Sequence, residues 1–253
     1  MEWRERDGIR WLEAELGEAK AAFSSRVGGV SAAPYDSLNL GLLTGDRRDD
    51  VLGNRRRLMA TLGIDPDRVL SGLQVHGAEI ATHAAPANGY ANPVPDPDEV
   101  DGHATAEPGL APLVMVADCL PVALSGPGGV AMLHCGWRGL AAGIAERGAA
   151  AVQARAAAIG PGIGSCCYEV GNEVAEAFAP LGDGITLPSG SDREEGKAML
   201  DLREVARRLL AEAGVEEIEV SELCTSCEAD LFFSHRRDGA RSGRQAGVAW
   251  LPA

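Results

Sequence analysis

Short apolar runs alternate along the chain with longer segments of helical spacing, and this alternation limits the folds that are open to it. The runs at 113–117 and 130–134 are bounded by glycine and proline, which is typical of buried strands. Helical spacing at 49–62 ends at Gly63, a stop signal. With no repeat of fixed period and no linker, the pattern predicts one α/β (mixed α+β) domain over residues 1–253. We expect mixed β-sheets flanked by helices.

The remaining elements are predicted from the same signals. Further strands are expected at 20–26 and within 69–83, further helices at 140–157, 169–178 and 202–213, and loops at 28–46, 84–99 and 160–164. The helix at 140–157 rests on a run rich in alanine, the residue with the highest helix propensity. The segment 84–99 carries several prolines among asparagine and aspartate, which predicts a surface loop.

The chain is strongly acidic, which restricts its partners. Its 37 acidic and 23 basic residues give a formal net charge of −14, which repels phosphate backbones and anionic lipid surfaces. We therefore expect no nucleic-acid and no membrane partner, although a local group of arginines could hold a small anion at short range. The first residues are too charged for a signal peptide, and no apolar run has the length of a membrane span. The cytoplasm is the expected location.

Two of the five histidines and one of the six cysteines stand directly after apolar runs. His76 lies in a Gln-Val-His-Gly stretch, Cys119 in an Ala-Asp-Cys stretch, and His134 opens a His-Cys-Gly-Trp-Arg-Gly stretch. Two imidazoles and a thiolate suit zinc and leave a fourth position for water or substrate, as in catalytic zinc sites. Their separations match no local metal motif. Spacing alone therefore leaves open the alternative of core histidines and an inert buried thiol.

Seven stretches of the chain have distinctive local sequences. In order, they are FSSRVGGVS (23–31), PYDSLNLG (34–41), QVHG (74–77), ADC (117–119), HCGWRG (134–139), IGPGIGSCCYEVG (159–171) and FFSHRRDG (232–239). Together they resemble the laccase-domain family, whose older name is multicopper polyphenol oxidase. The stretches span nearly the whole chain.

The resemblance implies purine nucleoside phosphorylase activity, which is phosphate-dependent cleavage of adenosine, inosine, guanosine and methylthioadenosine. Adenosine deaminase activity in the same site is implied as well. Purine nucleosides and inorganic phosphate are thus the implied partners. The family pattern further implies catalytic residues that hold zinc, at His76, Cys119 and His134, and a fold similar to the catalytic domain of cytotoxic necrotizing factor toxins. The preferred nucleoside and the oligomeric state stay open.

Arginines are the candidates for binding the substrate's phosphate. Arg26 lies at a strand end before two glycines, and Arg138 follows His134 by four residues. A guanidinium pairs well with phosphate, but either residue could equally be an ordinary surface arginine. The one basic cluster, at 236–244, could be an anion site, and a solvated face is the simpler interpretation.

The other cysteines carry weaker signals. Cys224 and Cys227 form a CxxC, and no second CxxC exists to complete a four-thiolate site. The adjacent pair Cys166-Cys167 is interpreted as structural, since adjacent cysteines rarely reach disulfide geometry with each other. Cys135 stands where the family more often has alanine, and so adds a second thiol beside the predicted ligand histidine.

Three other functions compete with the phosphorylase. Cys119 activated by His134 could act as a nucleophile in a zinc-independent hydrolase or amidase, and a non-catalytic or amidase-like role in peptidoglycan precursor quality control is also open. A polyphenol oxidase is disfavoured, because a trinuclear copper cluster needs many more imidazoles than five histidines with no His-x-His pair supply. Copper found in the protein would then be adventitious.

Overall fold

The computed structural model describes residues 1–86, 90, 97–188 and 196–252. Within these ranges the strands are β1 (Glu2–Arg6), β2 (Ile9–Leu16), β3 (Ala19–Ser24), β4 (Val69–Leu70), β5 (Ile80–His83), β6 (Gly102–Thr105), β7 (Ala111–Val116), β8 (Leu120–Gly126), β9 (Gly129–Cys135), β10 (Ala156–Ile159), β11 (Glu169–Gly171), β12 (Thr186–Pro188), β13 (Lys197–Leu200), β14 (Glu217–Val220) and β15 (Gln245–Trp250). The α-helices are α1 (Arg48–Leu62), α2 (Trp137–Ala141), α3 (Ile144–Val152), α4 (Asn172–Phe178), α5 (Leu202–Glu212) and α6 (His235–Asp238). Short 3-10 helices lie at Pro66–Arg68, Ala179–Leu181 and Gly239–Arg241.

Two six-stranded sheets form the centre of the molecule. The first has the order β1-β2-β3-β15-β7-β4, and the second has the order β14-β10-β8-β9-β6-β5. Most neighbouring strands are antiparallel, but β4 runs parallel to β7, β5 to β6, and β10 to β14. Both sheets are therefore mixed, as predicted. A smaller sheet, β11-β13-β12, is formed by the segment between α3 and α5.

The two large sheets pack face to face through small side chains. One buried cluster joins residues of β2, β3 and β7 to residues of β8, β9 and β10, and many of its members are alanine or valine. Glycine brings the backbones closer still. A Cβ at Gly160 would lie 2.4 Å from Cδ1 of Phe23, and one at Gly247 would lie 2.6 Å from Cβ of Pro121. Larger residues at these two positions would push the sheets apart.

Helices cover the outer faces of both sheets. Leu58 and Met59 of α1 pack on the first sheet, while α3 and α5 supply much of the buried cluster on the second. The layers are thus helix, sheet, sheet and helices, which confirms the predicted arrangement of mixed sheets flanked by helices. α1 ends as predicted at Gly63, whose φ of 72° is left-handed. No helix in the described part of the chain has the length and apolarity to cross a membrane.

The prediction of one helix over 140–157 is wrong. Two helices occupy its first part, α2 and α3, and they are separated at Gly143, where φ is +89°. Its last residues form β10, which is hydrogen-bonded to β8 on one side and β14 on the other. Alanine favours helices intrinsically, but pairing between two neighbouring strands outweighs that preference.

The other predicted elements are closer to the structure. Helix α5 agrees with the predicted helix at 202–213, while the first three residues of the predicted helix at 169–178 form β11 instead. The predicted strands within 69–83 are confirmed only as β4 and β5, because the residues between them form a loop. The strand predicted at 20–26 is β3, and it stops two residues before Arg26. The predicted loop at 84–99 lies largely outside the described residues.

Candidate functional site

His76, Cys119 and His134 lie together at one end of the two-sheet sandwich. His76 is in the connection from β4 to β5 and Cys119 in the connection from β7 to β8, so both connections cross from the first sheet to the second. His134 is the next-to-last residue of β9. One ligand atom of each residue lies within 4.8 Å of the others. The crossing points bring together three residues that are far apart in the sequence.

The three side chains differ in exposure. His76 is exposed, Cys119 is partly buried and His134 is buried. The two imidazole rings have centroids 4.8 Å apart and are inclined at 72°. Two rings in this edge-on arrangement can direct one nitrogen each toward a common point beside the Cys119 sulfur. The site is thus open to solvent on the His76 side and closed on the His134 side.

Asp101 organises this site, and the sequence analysis missed it. Its carboxylate is fully buried and accepts hydrogen bonds from the backbone N–H groups of Val75, His76 and Gly77, at 3.0, 3.0 and 2.7 Å. Oδ1 of Asp101 also lies 2.7 Å from Nδ1 of His134. Burial alone would raise the pKa of Asp101, but the hydrogen bonds from His134 and the loop outweigh it and lower the pKa. One carboxylate therefore fixes both histidines.

The contact with Asp101 determines which nitrogen of His134 faces the site. A carboxylate only accepts hydrogen bonds, so Nδ1 of His134 carries a hydrogen and donates a hydrogen bond to Asp101. Nε2 is then the nitrogen that can hold a metal. A carboxylate behind a histidine in this way is the usual support of a zinc ligand, since it fixes the tautomer and the ring orientation.

Cys119 and His134 form a strongly coupled pair. Burial raises the pKa of the Cys119 thiol, but the charge of His134 and hydrogen bonds from His134 and His76 lower it to about 6. Burial likewise opposes the charge on His134, yet Cys119 and Asp101 together raise its pKa to about 9. In the protein without metal, the pair is therefore a thiolate beside an imidazolium near neutral pH. The sulfur is already in the form that coordinates metals.

Left-handed backbone conformations direct the two connections that carry His76 and Cys119. His76 has φ of 62° and Asp118, just before Cys119, has φ of 88°. Such conformations cost a non-glycine residue of order 1–3 kcal/mol each, and the surrounding structure must hold them in place. Oδ1 of Asp118 accepts a hydrogen bond from Thr225 Oγ1 at 2.7 Å, and Oδ2 accepts one from the backbone N–H of Arg236 at 2.6 Å. These bonds fix the direction of Cys119.

Gln74 anchors the loop that carries His76. Its amide nitrogen donates to the carbonyl of Met115 at 2.7 Å, and its amide oxygen accepts from the backbone N–H of Met115 at 2.8 Å. The side chain thus imitates a neighbouring strand along β7. This bond pair explains why glutamine stands two residues before the histidine.

Gly136 allows the three side chains to come close. A Cβ at this position would lie 3.0 Å from Sγ of Cys119 and 3.3 Å from Cδ2 of His76. Gly136→Ala should therefore displace both ligands and weaken metal binding by about 10–100-fold, the usual cost of disturbing the surroundings of a metal ligand. Competition with a chelating dye measures this affinity.

Gly53→Ala is the matched control for the substitution at Gly136. Gly53 lies inside α1, where an added Cβ would meet only Val30 Cγ2 at 3.9 Å. It should leave metal affinity unchanged and raise stability slightly, since alanine favours helix by about 1 kcal/mol over glycine. Equal metal affinity in the Gly136→Ala and Gly53→Ala variants would contradict the assigned role of Gly136.

The guanidinium of Arg26 is already engaged. Nε donates to the carbonyl of Asp36 at 2.6 Å, Nη1 donates to the carbonyl of Ala229 at 3.1 Å, and Nη2 lies 3.4 Å from Oδ1 of Asp36. The group also stacks on the ring of Phe233 at 4.5 Å. Arg26 lines a surface pocket with Arg241, and none of the three predicted ligands lines that pocket. Its role in phosphate binding stays a prediction.

Arg138 is placed differently. It is exposed on α2, two residues after Gly136, and stacks on the ring of Trp137 at 4.4 Å. Among the described residues it forms no hydrogen bond or ion pair that would occupy its donors. The pKa of Tyr168 reflects both Cys119, whose charge raises it, and Arg138, whose charge lowers it. Arg138 therefore lies in the first turn of α2, four residues after His134, and no hydrogen bond or ion pair among the described residues engages its guanidinium.

Tyr168 and two arginines of the basic cluster belong to the same surroundings. Burial, followed by the charge of Cys119, raises the pKa of Tyr168 to about 12, so its hydroxyl stays protonated. The guanidinium of Arg236 lies 5.2 Å from the Tyr168 ring centre. Burial lowers the pKa of Arg244, while the charges of Cys119 and Asp118 oppose that change. Sequence patterns gave no signal for Tyr168.

The remaining cysteines and histidines also pair. Sγ atoms of Cys166, Cys167, Cys224 and Cys227 lie within 4.8 Å of one another. The sequence contains no second CxxC, but in the structure the adjacent pair Cys166-Cys167 supplies the two further thiols. Nε2 of His83 lies 3.1 Å from Nδ1 of His103. Cys135 is buried in the core, and burial raises its pKa.

Comparison with known proteins places the chain among relatives of similar length. The model of a family described as multi-copper polyphenol oxidoreductase laccase matches residues 20–252. The chain belongs to this family. The purine nucleoside phosphorylase YlmD of Geobacillus stearothermophilus is 42% identical over 248 residues, which cover 89% of this chain and 88% of the relative. The purine nucleoside phosphorylase YfiH of Escherichia coli is 40% identical, with 91% and 93% covered.

Solved structures within the family have the same fold. The crystal structure of YfiH from Bacillus licheniformis superposes with a TM-score of 0.89 at 34% identity, and 98% of each chain is covered. That of YlmD from Geobacillus stearothermophilus superposes with a TM-score of 0.87 at 37% identity, with 99% of this chain and 98% of the relative covered. The resemblance noted in the sequence is thereby confirmed, and so is the mixed α/β fold.

Proposed function

We propose that the chain is a purine nucleoside phosphorylase whose catalytic centre is His76, Cys119 and His134. Its substrates would be adenosine, inosine, guanosine and methylthioadenosine together with phosphate, and adenosine would also be deaminated in the same site. The observation that carries this proposal is the convergence of the three ligand atoms within 4.8 Å in a chain 42% identical to a relative named purine nucleoside phosphorylase. We also propose that the chain forms a single domain and that the protein is cytoplasmic.

The three residues fit zinc. Two imidazole nitrogens and a thiolate sulfur are ligands that zinc prefers, and three protein ligands leave a fourth position for a substrate. His134 has the supporting carboxylate, Asp101, that zinc-binding histidines usually have. Zinc bound here would act as a Lewis acid on the substrate and would lower the pKa of water.

For phosphorolysis, the protein must hold a phosphate ion next to the anomeric carbon of a bound nucleoside. An oxygen of phosphate attacks the anomeric carbon, the bond to the purine nitrogen breaks, and the base leaves with the bonding electrons. Arg138 is exposed in the first turn of α2, just after the strand that carries His134, and its guanidinium is less engaged than that of Arg26, so it is the better candidate of the two to hold phosphate. Tyr168 keeps its proton and can donate a hydrogen bond to substrate. Arg26 would support the neighbouring loop through Asp36.

A thiol hydrolase is the second candidate, because one observation favours it. Cys119, His134 and Asp101 form a chain of nucleophile, base and orienting carboxylate, the geometry of a cysteine-histidine-aspartate triad. Such an enzyme, which could act on peptidoglycan precursors, needs no metal. His76 argues against it, since a second imidazole hydrogen-bonded to the sulfur has no role in a triad.

Copper oxidase chemistry is disfavoured despite the name of the family. The sequence has five histidines. His83 pairs with His103, and His235 begins α6. The remaining two are the predicted zinc ligands, so no set of imidazoles is left for a trinuclear cluster. Copper bound in place of zinc would be adventitious.

Product analysis tests the proposal. Protein purified without a metal-binding tag would be incubated with inosine, with and without phosphate, and with adenosine, with and without chelator. We expect free hypoxanthine and ribose 1-phosphate only with phosphate, and inosine from adenosine only without chelator. His134→Ala, purified identically, is the control for contaminating host enzymes. Equal activity in the wild-type and His134→Ala preparations, or release of base without phosphate, would overturn the proposal.

A further inference from the structure

Four cysteine sulfurs outside the site described above converge at the surface of the second sheet. Cys166 and Cys167 follow β10, and Cys224 and Cys227 follow β14. These two strands are parallel neighbours, so their carboxyl ends meet at one edge. An isolated bridge between Gly162 and Cys224 continues their pairing into the loops. The fold thus brings together two cysteine pairs that are far apart in the sequence, since Cys167 and Cys227 are separated by 60 residues.

The distances between the sulfurs suit a single metal ion. Cys227 Sγ lies 3.5 Å from the Sγ atoms of both Cys166 and Cys167, and all four sulfurs lie within 4.8 Å of one another. A tetrahedral zinc with Zn–S bonds of about 2.3 Å places its sulfurs about 3.8 Å apart. The observed spacing is far longer than a disulfide bond of about 2.05 Å, and all six cysteines are free thiols.

Backbone N–H groups stabilise the thiolate form of one member of the cluster, Cys224. The N–H of Gly164 donates to Sγ of Cys224 at 3.2 Å, and the N–H groups of Ser226 and Cys227 also donate to that sulfur. Gly164 must be glycine for this approach, since its Cβ would lie 3.2 Å from Cys166 Sγ and 3.4 Å from Cys224 Sγ. Backbone N–H groups directed at a sulfur favour its charged form.

Two arginines of the basic cluster hold the loops that carry the cysteines. Nη1 of Arg236 donates to the carbonyl of Glu169 at 2.9 Å. Nη1 of Arg237 donates to the carbonyls of Thr225 and Ser226 at 2.9 and 3.1 Å. These bonds hold the loops in the conformation that brings the sulfurs together.

We propose that Cys166, Cys167, Cys224 and Cys227 form a second metal site, a closed four-thiolate site for one zinc ion. Binding releases the thiol protons to solvent and leaves the ion without an open position, so this site is structural. It clamps the loops after β10 and β14 to each other. It is separate from the site of His76, Cys119 and His134 and does not depend on the function proposed for that site.

The second site bears on the first through two short connections. Thr225 lies between Cys224 and Cys227 and donates its hydroxyl to Asp118, the residue that directs Cys119. Arg236 joins the other loop to the same residue, since its Nη1 lies 3.4 Å from the carbonyl oxygen of Cys167 and its backbone N–H donates to Asp118. Loss of the structural ion would release both loops. The four cysteines are thus positioning residues for the first site and do not touch substrate.

Metal analysis of the untagged full chain tests the proposal. We expect about two zinc ions per chain in the wild-type protein and about one in Cys119→Ala. Cys224→Ser and Cys166→Ser should each also lose about one, from the other site, and Cys135→Ala should lose none. Cys166 is exposed while Cys224 is buried, so Cys166→Ser keeps the test available if the substitution at the buried position prevents folding.

Alkylation of the wild-type protein gives a second test that does not depend on a variant folding. Exposed Cys166 and Cys227 should resist alkylation until a strong chelator is added, and all six thiols should then react in denaturant without reductant. Cobalt replacing zinc should show the intense sulfur-to-cobalt absorption of a tetrahedral thiolate site, absent in Cys166→Ser. Immediate alkylation of Cys166 and Cys227, recovery of any of the four as disulfides, or iron in place of zinc would overturn the proposal.

Discussion

Cys119→Ala should abolish adenosine deamination, with a loss of at least about 10³-fold, the scale of removing a preorganised electrostatic group. Deamination uses water as its nucleophile and so depends on the metal that Cys119 would help to hold. Phosphorolysis brings its own nucleophile and needs mainly charge placement and orientation. Traces of phosphate-dependent inosine cleavage should therefore survive if Arg138 still positions phosphate. Chromatography of free bases and inosine measures both reactions in one sample.

Cys135→Ala is the matched control for this variant. It removes the neighbouring thiol, which is buried in the core and is not among the three grouped ligands. Both activities should stay near the wild-type level. If Cys119→Ala keeps deamination while losing only phosphorolysis, the metal has been assigned to the wrong reaction, and Cys119 belongs to the phosphate or ribose site instead.

Asp101→Asn should lower zinc affinity and kcat/KM by about 10–100-fold, the effect expected when the support of a ligand histidine is removed. The carboxylate accepts from His134 and from three backbone N–H groups. An amide offers one acceptor oxygen, and its NH₂ group would face donors that then have no partner. His134 would turn or change its tautomer, and the His76 loop would loosen.

Asp98→Asn provides the comparison for Asp101→Asn. This substitution makes the same chemical change, aspartate to asparagine, at an exposed position three residues before Asp101. Zinc affinity from dye competition, far-ultraviolet circular dichroism and kcat/KM should all match those of the wild-type protein. If both variants bind zinc and turn over substrate like the wild-type protein, Asp101 does not orient the site.

Much of the architecture follows from local sequence. The apolar runs that became β7 and β9, and the spaced apolar residues of α1 and α5, have the periodicity of their elements, so their assignment needed no tertiary information. The three predicted ligands can be identified from the sequence for the same reason. Each closes an apolar run, and ends of buried strands are where a sheet presents its side chains to a cleft.

What could not be predicted depends on contacts between distant segments. Strand β10 is an alanine run that only its neighbours β8 and β14 hold in a sheet. Nothing in the sequence around Asp101 distinguishes it from an ordinary loop aspartate. In the folded chain it is buried, and its carboxylate accepts hydrogen bonds from four donors. The four-thiol cluster depends on the parallel pairing of β10 with β14. The spacing of cysteines in the sequence does not predict which strands pair. The types of residue at these positions can be read from the sequence, but the groups that they contact depend on the topology of the fold.

Zinc titration of metal-depleted protein tests the central claim most directly. A chelator would remove metal, zinc would be added back in steps, and adenosine deamination would be measured at each step in wild-type and Cys166→Ser proteins. We expect no activity without zinc and recovery that saturates with about one zinc bound at His76, Cys119 and His134, with a lower plateau in Cys166→Ser because its loops are released. Full deamination by protein that holds no zinc at these three residues would contradict the claim.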